Sequence, residues 1–271
     1  MGLFNILDPI LDIVFGPLLR IHPFWGIVIV SLLVTLIITI IHKYTTDQKL
    51  MKELKEKQKK FQKEIQKHKE DPQKAMKIQK EAMASNMEYM KHSFRPMLFT
   101  FIPIIIIIGW LNANFAYLPI HPGEEFTTTL YFKGDQLGNA TLTLPEELVL
   151  LSELSQPIVD GKSSWRLKGP AGEYVLFYTY EGNQYSKRLI ITDGTEYAPH
   201  DKRKKGMVDY LYSATDEYLS SDPYIYQITI DNKPLKPLPF KIFGWNPGWL
   251  GTYIILSILM SFGIRKLLKV H

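Results

Sequence analysis

The chain has 271 residues, no cysteine, 46% hydrophobic residues and a formal net charge of +5. Without cysteine there are no disulfides and no thiolate metal sites, so any part outside the cytoplasm must be held by its own core. A mean hydropathy near zero suggests a soluble protein, but it averages three apolar blocks with the strongly charged stretches between them.

The opening stretch "FNILDPILDIVFGPLLRI" (residues 4–21) places Phe4, Leu7, Leu11, Val14, Phe15 and Leu18 at helical spacing. It lacks a basic start and a small-residue cleavage site, and it carries Asp8 and Asp12. It therefore reads as an amphipathic interfacial helix over 1–23 rather than a secretory signal. After Pro23 comes "FWGIVIVSLLVTLIITII", eighteen residues without a charge, which meets the threshold for a membrane helix. This first span is placed at 24–42.

Residues 43–95 carry fifteen Lys and Arg against eight Asp and Glu. Leu50, Leu54, Phe61, Ile65 and His68 follow the alternating three-four spacing of a coiled-coil stripe, with Lys57 occupying one of its positions. Asp71-Pro72 is a helix restart, an N-cap followed by proline at the first helical position. Beyond it, Met76, Met83, Met87 and Met90 recur at heptad-like spacing, so the region reads as an antiparallel coiled-coil hairpin joined at "KEDP". The methionines admit two readings, the seam of the hairpin or an adaptable surface for apolar client segments. Lys59, Lys60 and Lys63 fit a solvated face or contact with anionic lipid or ribosomal RNA.

"MLFTFIPIIIIIGWL" (97–111) supplies only fifteen cleanly apolar residues, with Pro103 breaking the run. The second span is placed at 96–118. Fifteen residues cover about 22 Å, short of a hydrocarbon core of about 30 Å, so local thinning of the bilayer is expected.

From 119 to 243 the pattern becomes strand-like, and residues 121–245 carry thirteen Lys and Arg against seventeen Asp and Glu. "EYVLFYTYEGNQYSKRLIIT" (173–192) is a hairpin around Gly182-Asn183. "TTTLYF", "ATLTL" and "YIYQITI" are further strands, giving an extracytoplasmic β-sandwich domain. Thr195–Asp222 interrupts it as a helical excursion or long loop, and "DKRKKG" (201–206) reads as a solvated loop. Asn139-Ala140-Thr141 fits the glycosylation sequon. His121 and His200 suggest exposed loop positions, Glu124-Glu125 and Glu146-Glu147 suggest no acid–base pair, and no nucleotide, metal or nucleophile motif occurs. No cofactor or metal is expected, and no enzyme activity.

The third span is placed at 244–264, followed by a basic tail at 265–271. Trp25, Trp110, Trp245 and Trp249 sit at span ends, as interfacial rings do. The positive-inside rule puts 43–95 and the tail in the cytoplasm, and the N-terminus and β domain outside, in a multi-pass cell (plasma) membrane protein.

No Asp, Glu, Lys or Arg lies inside a span, which weighs against ion-coupled transport. The remaining polarity is Ser31, Thr35 and Thr39 in the first span, Thr100 in the second, and Thr252, Ser257 and Ser261 in the third. These residues mark either plain helix packing or a hydrophilic groove open to the cytoplasm. Short spans and a polar groove both shorten the distance a polar segment travels without water, the physics of an insertase.

The order of elements, "SFRPMLFTFIPIIIIIGWL" and "GWLGTYIILSILMSFGIRKLLKV" closely resemble the archaeal YidC-like proteins, in the superfamily of YidC, the mitochondrial oxidase-assembly insertases and the endoplasmic-reticulum insertase subunits. The resemblance covers residues 1–118 and 244–271. It implies insertion of short-tailed client proteins, with ribosomes at the cytoplasmic side. Nascent membrane proteins, lipids and a small membrane subunit are the implied partners. Bacterial members carry a groove arginine where this chain has Thr35, have five core spans rather than three, and place their outer domain before the first core span. Two other readings stay open: an extracytoplasmic binding or adhesion module on a helical anchor, and an accessory subunit of a larger membrane complex.

Overall fold

The computed structural model describes residues 2–45, 48–68 and 71–268. The chain divides into two compact units, Met1–Gly26 with Ile106–Thr252, and Ile27–Ile105 with Tyr253–His271.

The second unit is helical. α2 spans Pro23–Thr45, α3 spans Gln48–Lys67, α4 spans Pro72–Phe115 and α5 spans Trp249–Leu268; α2, α4 and α5 each cross the unit boundary. Proline opens both α2 and α4, where its missing N–H costs nothing. Asp71 caps α4 through Lys74 N–H at 3.1 Å. The other half of the expected "KEDP" junction, Lys69 and Glu70, lies outside the described residues, as do Lys269–His271 of the expected tail.

Two helices, α2 and α5, are long and apolar enough to cross a membrane, and Phe99–Phe115 is a shorter apolar stretch within α4. α4 runs 44 residues without interruption through Pro103, so the second arm of the expected hairpin and the stretch Phe99–Phe115 lie on one helix. In apolar surroundings, neighbouring groups take over the hydrogen bond a helical proline forfeits. The third helix begins at Trp249 rather than 244 and continues to Leu268.

The methionine stripe is not a buried seam. Met76, Met83, Met87 and Met90 are 62–73% exposed. The covered face of the same helical stretch is Ala75, Ile78, Ala82, Ser85 and Tyr89, about 130° away around a 3.6-residue helix.

The first unit begins with a 3-10 turn at Leu3–Leu7, α1 at Asp8–Phe15 and a second 3-10 turn at Gly16–Arg20. This is three short pieces rather than one helix, because Pro9 and Pro17 each restart the chain. The outward residues are Leu3, Ile6, Ile10, Ile13 and Val14, while Phe15 is buried and Phe4, Leu7, Leu11 and Leu18 are half-buried. The stripe read from spacing thus largely faces the protein, and a second apolar face points away from it.

The rest of this unit is sheet-rich. Five strands pair in the order β3 (Val149–Leu150), β5 (Lys162–Lys168), β1 (Phe126–Phe132), β9 (Ile225–Ile230) and β8 (Asp201–Arg203). Four pair in the order β4 (Ser155–Pro157), β2 (Asn139–Thr143), β6 (Gly172–Tyr180) and β7 (Asn183–Ile191). Both sheets feed one core that includes Leu130, Leu142, Trp165, Leu167, Leu176, Tyr178, Leu189 and Ile228. Burying the Trp165 ring alone removes roughly 150–250 Å² from water, about 4–6 kcal/mol of transfer free energy. Its indole N–H donates to Leu154 O at 2.9 Å, so no polar cost offsets it.

The β6–β7 hairpin turns at Glu181-Gly182, both at positive φ, with Tyr180 paired to Asn183. The turn is one residue earlier than its sequence suggests. Thr195–Asp222 is a long loop holding β8 and a 3-10 turn at Val208–Tyr210. It is fastened to β7 by Lys187 and Glu217, whose Nζ and Oε2 lie 2.5 Å apart with the lysine fully buried.

Candidate functional site

Within the helical unit, a groove of about 360 Å³ runs between α2 and α5. α2 contributes Thr35, Ile38 and Thr39. α5 contributes Tyr253, Ser257, Ile258, Ser261, Phe262 and Arg265. The polar groups follow from helical geometry. On α5, Tyr253, Ser257, Ser261 and Arg265 recur every four residues, and Thr35 and Thr39 do the same on α2, so each set lines one face. Between the hydroxyls stand Ile38, Ile258 and Phe262, which leaves the groove apolar in its walls.

The hydroxyls of α2 turn back onto their own helix. Thr35 Oγ1 donates to Ser31 O at 2.6 Å, and Thr39 Oγ1 donates to Thr35 O at 2.7 Å. Each oxygen keeps lone pairs free to accept, so the α2 side offers acceptors. Arg265 adds donors and a permanent positive charge at the last turn of α5. Chemically, the groove can solvate peptide N–H groups and attract a carboxylate, and it has no nucleophile–base pair.

Of the seven Ser and Thr positions singled out by sequence, the groove brings together Thr35, Thr39, Ser257 and Ser261. Ser31 is fully buried and does not line it. Thr100, on α4, is buried and donates to Met97 O at 2.9 Å. Thr252 belongs to the other unit, where it is buried and donates to Gly248 O at 2.9 Å. Tyr253 and Arg265 were not singled out for the groove, although a four-residue ladder with Ser257 and Ser261 carried the signal. Lys59, Lys60 and Lys63 are exposed on α3, and Asn139 is exposed at the first residue of β2.

The sheet-rich unit has a cavity of its own, about 490 Å³, lined by residues from the N-terminal segment, the end of α4 and the 195–222 loop. Its carboxylates are held by hydrogen bonds and ion pairs within the fold. Asp8 accepts from Asn5 Nδ2 at 2.9 Å and Tyr212 OH at 2.7 Å, and Asp12 accepts from Trp110 Nε1 at 2.8 Å. Arg203 holds Asp209 at 2.9 Å, and Arg188 holds Asp216 at 3.1 Å. Burial raises the Tyr212 phenol, and its hydrogen bond to Asp8 raises it further, so it stays a donor to the carboxylate. These groups fasten the fold. His200 is half-buried, not an exposed loop residue, and stacks on Tyr117 with ring centroids 4.3 Å apart. His121 is exposed. No cluster of three metal-ligating side chains occurs among the described residues.

Comparison with known proteins adds the family. Residues 12–155 match the family described as integral membrane protein EMC3/TMCO1-like. The match covers just over half of the chain, from α1 through α2, α3 and α4 into the first strands of the sheet-rich region. No curated protein and no solved structure matches the chain. The family lies in the YidC/Oxa1/Alb3/EMC insertase superfamily and is associated with membrane protein insertion. The similarity over residues 12–155, together with two helices long and apolar enough to cross a membrane, identifies the chain as a member of the EMC3/TMCO1-like family of integral membrane proteins.

Proposed function

We propose that this chain is a non-enzymatic insertase, which moves the polar flanks of short-tailed client proteins across a locally thinned bilayer. The observation that carries the reading is the α2–α5 groove, with Thr35, Thr39, Ser257 and Ser261 along it and Arg265 at the end of α5. A polar segment crossing hydrocarbon loses water from every backbone group, at several kcal/mol for each one left unmatched. A groove of hydroxyl acceptors and one cation lowers that cost without nucleotide or covalent chemistry. Phe99–Phe115 serves as a third, short span. Its 17 residues reach about 25 Å against a core of about 30 Å, so the bilayer thins beside it.

In this reading the groove opens to the cytoplasm, and the N-terminus and β-sandwich lie outside the cell membrane, where Asn139 is available for glycosylation. Met76, Met83, Met87 and Met90 receive apolar client segments, as flexible and polarizable side chains do. Lys59, Lys60 and Lys63 approach ribosomal RNA or lipid heads. Thr100, Ser31 and Thr252 keep packing roles.

The protein reconstituted in liposomes should raise insertion of a short-tailed single-span client above that of empty liposomes. Replacing Thr35 and Thr39 together with leucine should lower insertion while the protein stays folded. Insertion unchanged by that pair would return the groove to simple helix packing. Photo-crosslinking from Met87 to ribosome-bound nascent chains tests the client path.

A further inference from the structure

The N-terminal segment and the tip of the 195–222 loop are nearly the length of the chain apart, yet they are stitched together. Phe4 N–H donates to Leu211 O at 2.8 Å. The Asn5 amide makes a two-point clamp on Ser213, donating to its carbonyl at 2.9 Å and accepting from its N–H at 3.0 Å. Gly2 is required there, because a Cβ would stand 2.8 Å from Leu211 O.

On both sides of this seam the outward residues are large and apolar. Leu3, Ile6, Ile10 and Ile13 are 58–81% exposed, and Met207, Val208 and Tyr210 are 62–88% exposed. Apart from Tyr210, whose ring carries the Lys205 ammonium, these side chains point outward, whereas their neighbours Asn5 and Asp209 are buried in hydrogen bonds. The tip is also basic. Arg203, Lys204 and Lys205 precede Met207, and Lys205 Nζ lies 4.5 Å from the Tyr210 ring centroid. The one acid in the turn, Asp209, is held by Arg203 and by Gly206 N–H.

We propose that this composite face is a docking surface for a bilayer leaflet bearing anionic headgroups, with Leu3, Ile6, Met207 and Val208 entering the headgroup–acyl boundary and Lys204 and Lys205 meeting the phosphates. Continuity favours lipid over a protein occupant: α1 is followed within eight residues by α2, the more apolar of the two membrane-length helices. Apolar side chains beside lysines are the composition that binds anionic interfaces. The surface is independent of the groove and of the insertion reading.

The natural absence of cysteine makes site labelling direct. Val208→Cys, Ile6→Cys and, as a distal control, Asn183→Cys in the full chain would each carry an environment-sensitive fluorophore. The proteins would be reconstituted in phosphatidylcholine vesicles with about a quarter phosphatidylglycerol, and in phosphatidylcholine alone. Quenching by headgroup-depth nitroxide lipid should be roughly twofold or more stronger at positions 208 and 6 than at 183. It should require phosphatidylglycerol and weaken between about 0.1 M and 1 M salt. Quenching no stronger than at Asn183 overturns the proposal. So does equal quenching in both vesicle types, and so does shielding from both iodide and nitroxide lipid, which would mean a protein partner or second copy covers the face. Two labelling sites on separate segments keep the test valid should one substitution unfold the seam.

Discussion

Glu217→Gln tests how the long loop is held to the sheet. Lys187 is fully buried with its Nζ 2.5 Å from Glu217 Oε2, and Glu217 Oε1 accepts Arg188 N–H at 2.9 Å. Burial pulls the ammonium below its ordinary 10.5, and the Glu217 carboxylate opposes that pull. Glutamine keeps the shape and an acceptor but removes the negative charge. The stranded lysine then either stays charged in poorly solvating surroundings or releases its proton. The second route sets a ceiling. Deprotonating a group of ordinary value 10.5 at pH 7 costs about 4.8 kcal/mol at 1.36 kcal/mol per unit, within the range of about 3–5 kcal/mol for breaking a buried pair. At pH 9 the ceiling falls to about 2 kcal/mol. In the variant, the folded-state lysine titrates below its unfolded value, so the unfolded chain binds more protons and the deficit shrinks as pH rises. Urea unfolding of the detergent-solubilised chain, followed by tryptophan fluorescence at the two pH values, measures this. A deficit below about 1 kcal/mol at neutral pH, or one that is the same at both values, would refute the reasoning.

Three further predictions concern the same unit. Burial holds the His200 imidazole below 6.5 against the opposing charges of Asp201 and Asp231. Its contribution is therefore complete above 6.5 and lost as pH falls; His200→Phe, which retains a ring against Tyr117, should flatten the loss of thermal stability between neutral pH and about pH 5. Asp12→Ala leaves the buried Trp110 indole N–H without its acceptor and should cost about 1–3 kcal/mol in the same unfolding assay. Phe243 is fully exposed at φ +48°, so Phe243→Gly should stabilise by up to about 1 kcal/mol, and a destabilised variant would show that the ring has a partner.

Much of the site could be read from periodicity. The hydroxyls of the apolar helices were singled out for a polar groove, and the groove brings together Thr35, Thr39, Ser257 and Ser261. Periodicity could not say which of two stripes on one helix is covered. The methionines hold the heptad-like spacing, but Ala75, Ile78, Ala82, Ser85 and Tyr89 form the covered face. The N-terminal segment misled for a related reason. It is apolar almost all round, so spacing alone could not show that the clamp through Asn5 and Asp8 would orient it. In the sheets, the long hairpin and the strands of β1, β2 and β9 were legible. β5 was not: "KSSWRLK" hides its alternation behind Ser163, a buried polar residue whose Oγ donates to Pro157 O at 3.0 Å.

The clamp between Asn5 and Ser213 spans 208 residues. Synthesis at about 5–20 residues per second separates the two ends by roughly 10–40 s, so Asn5 waits that long for its permanent neighbours. During that interval the Asn5 amide, buried in the finished fold, lacks the Ser213 groups that satisfy it, and water or a helper must stand in for them. Asn5 is therefore fastened only after the far loop emerges.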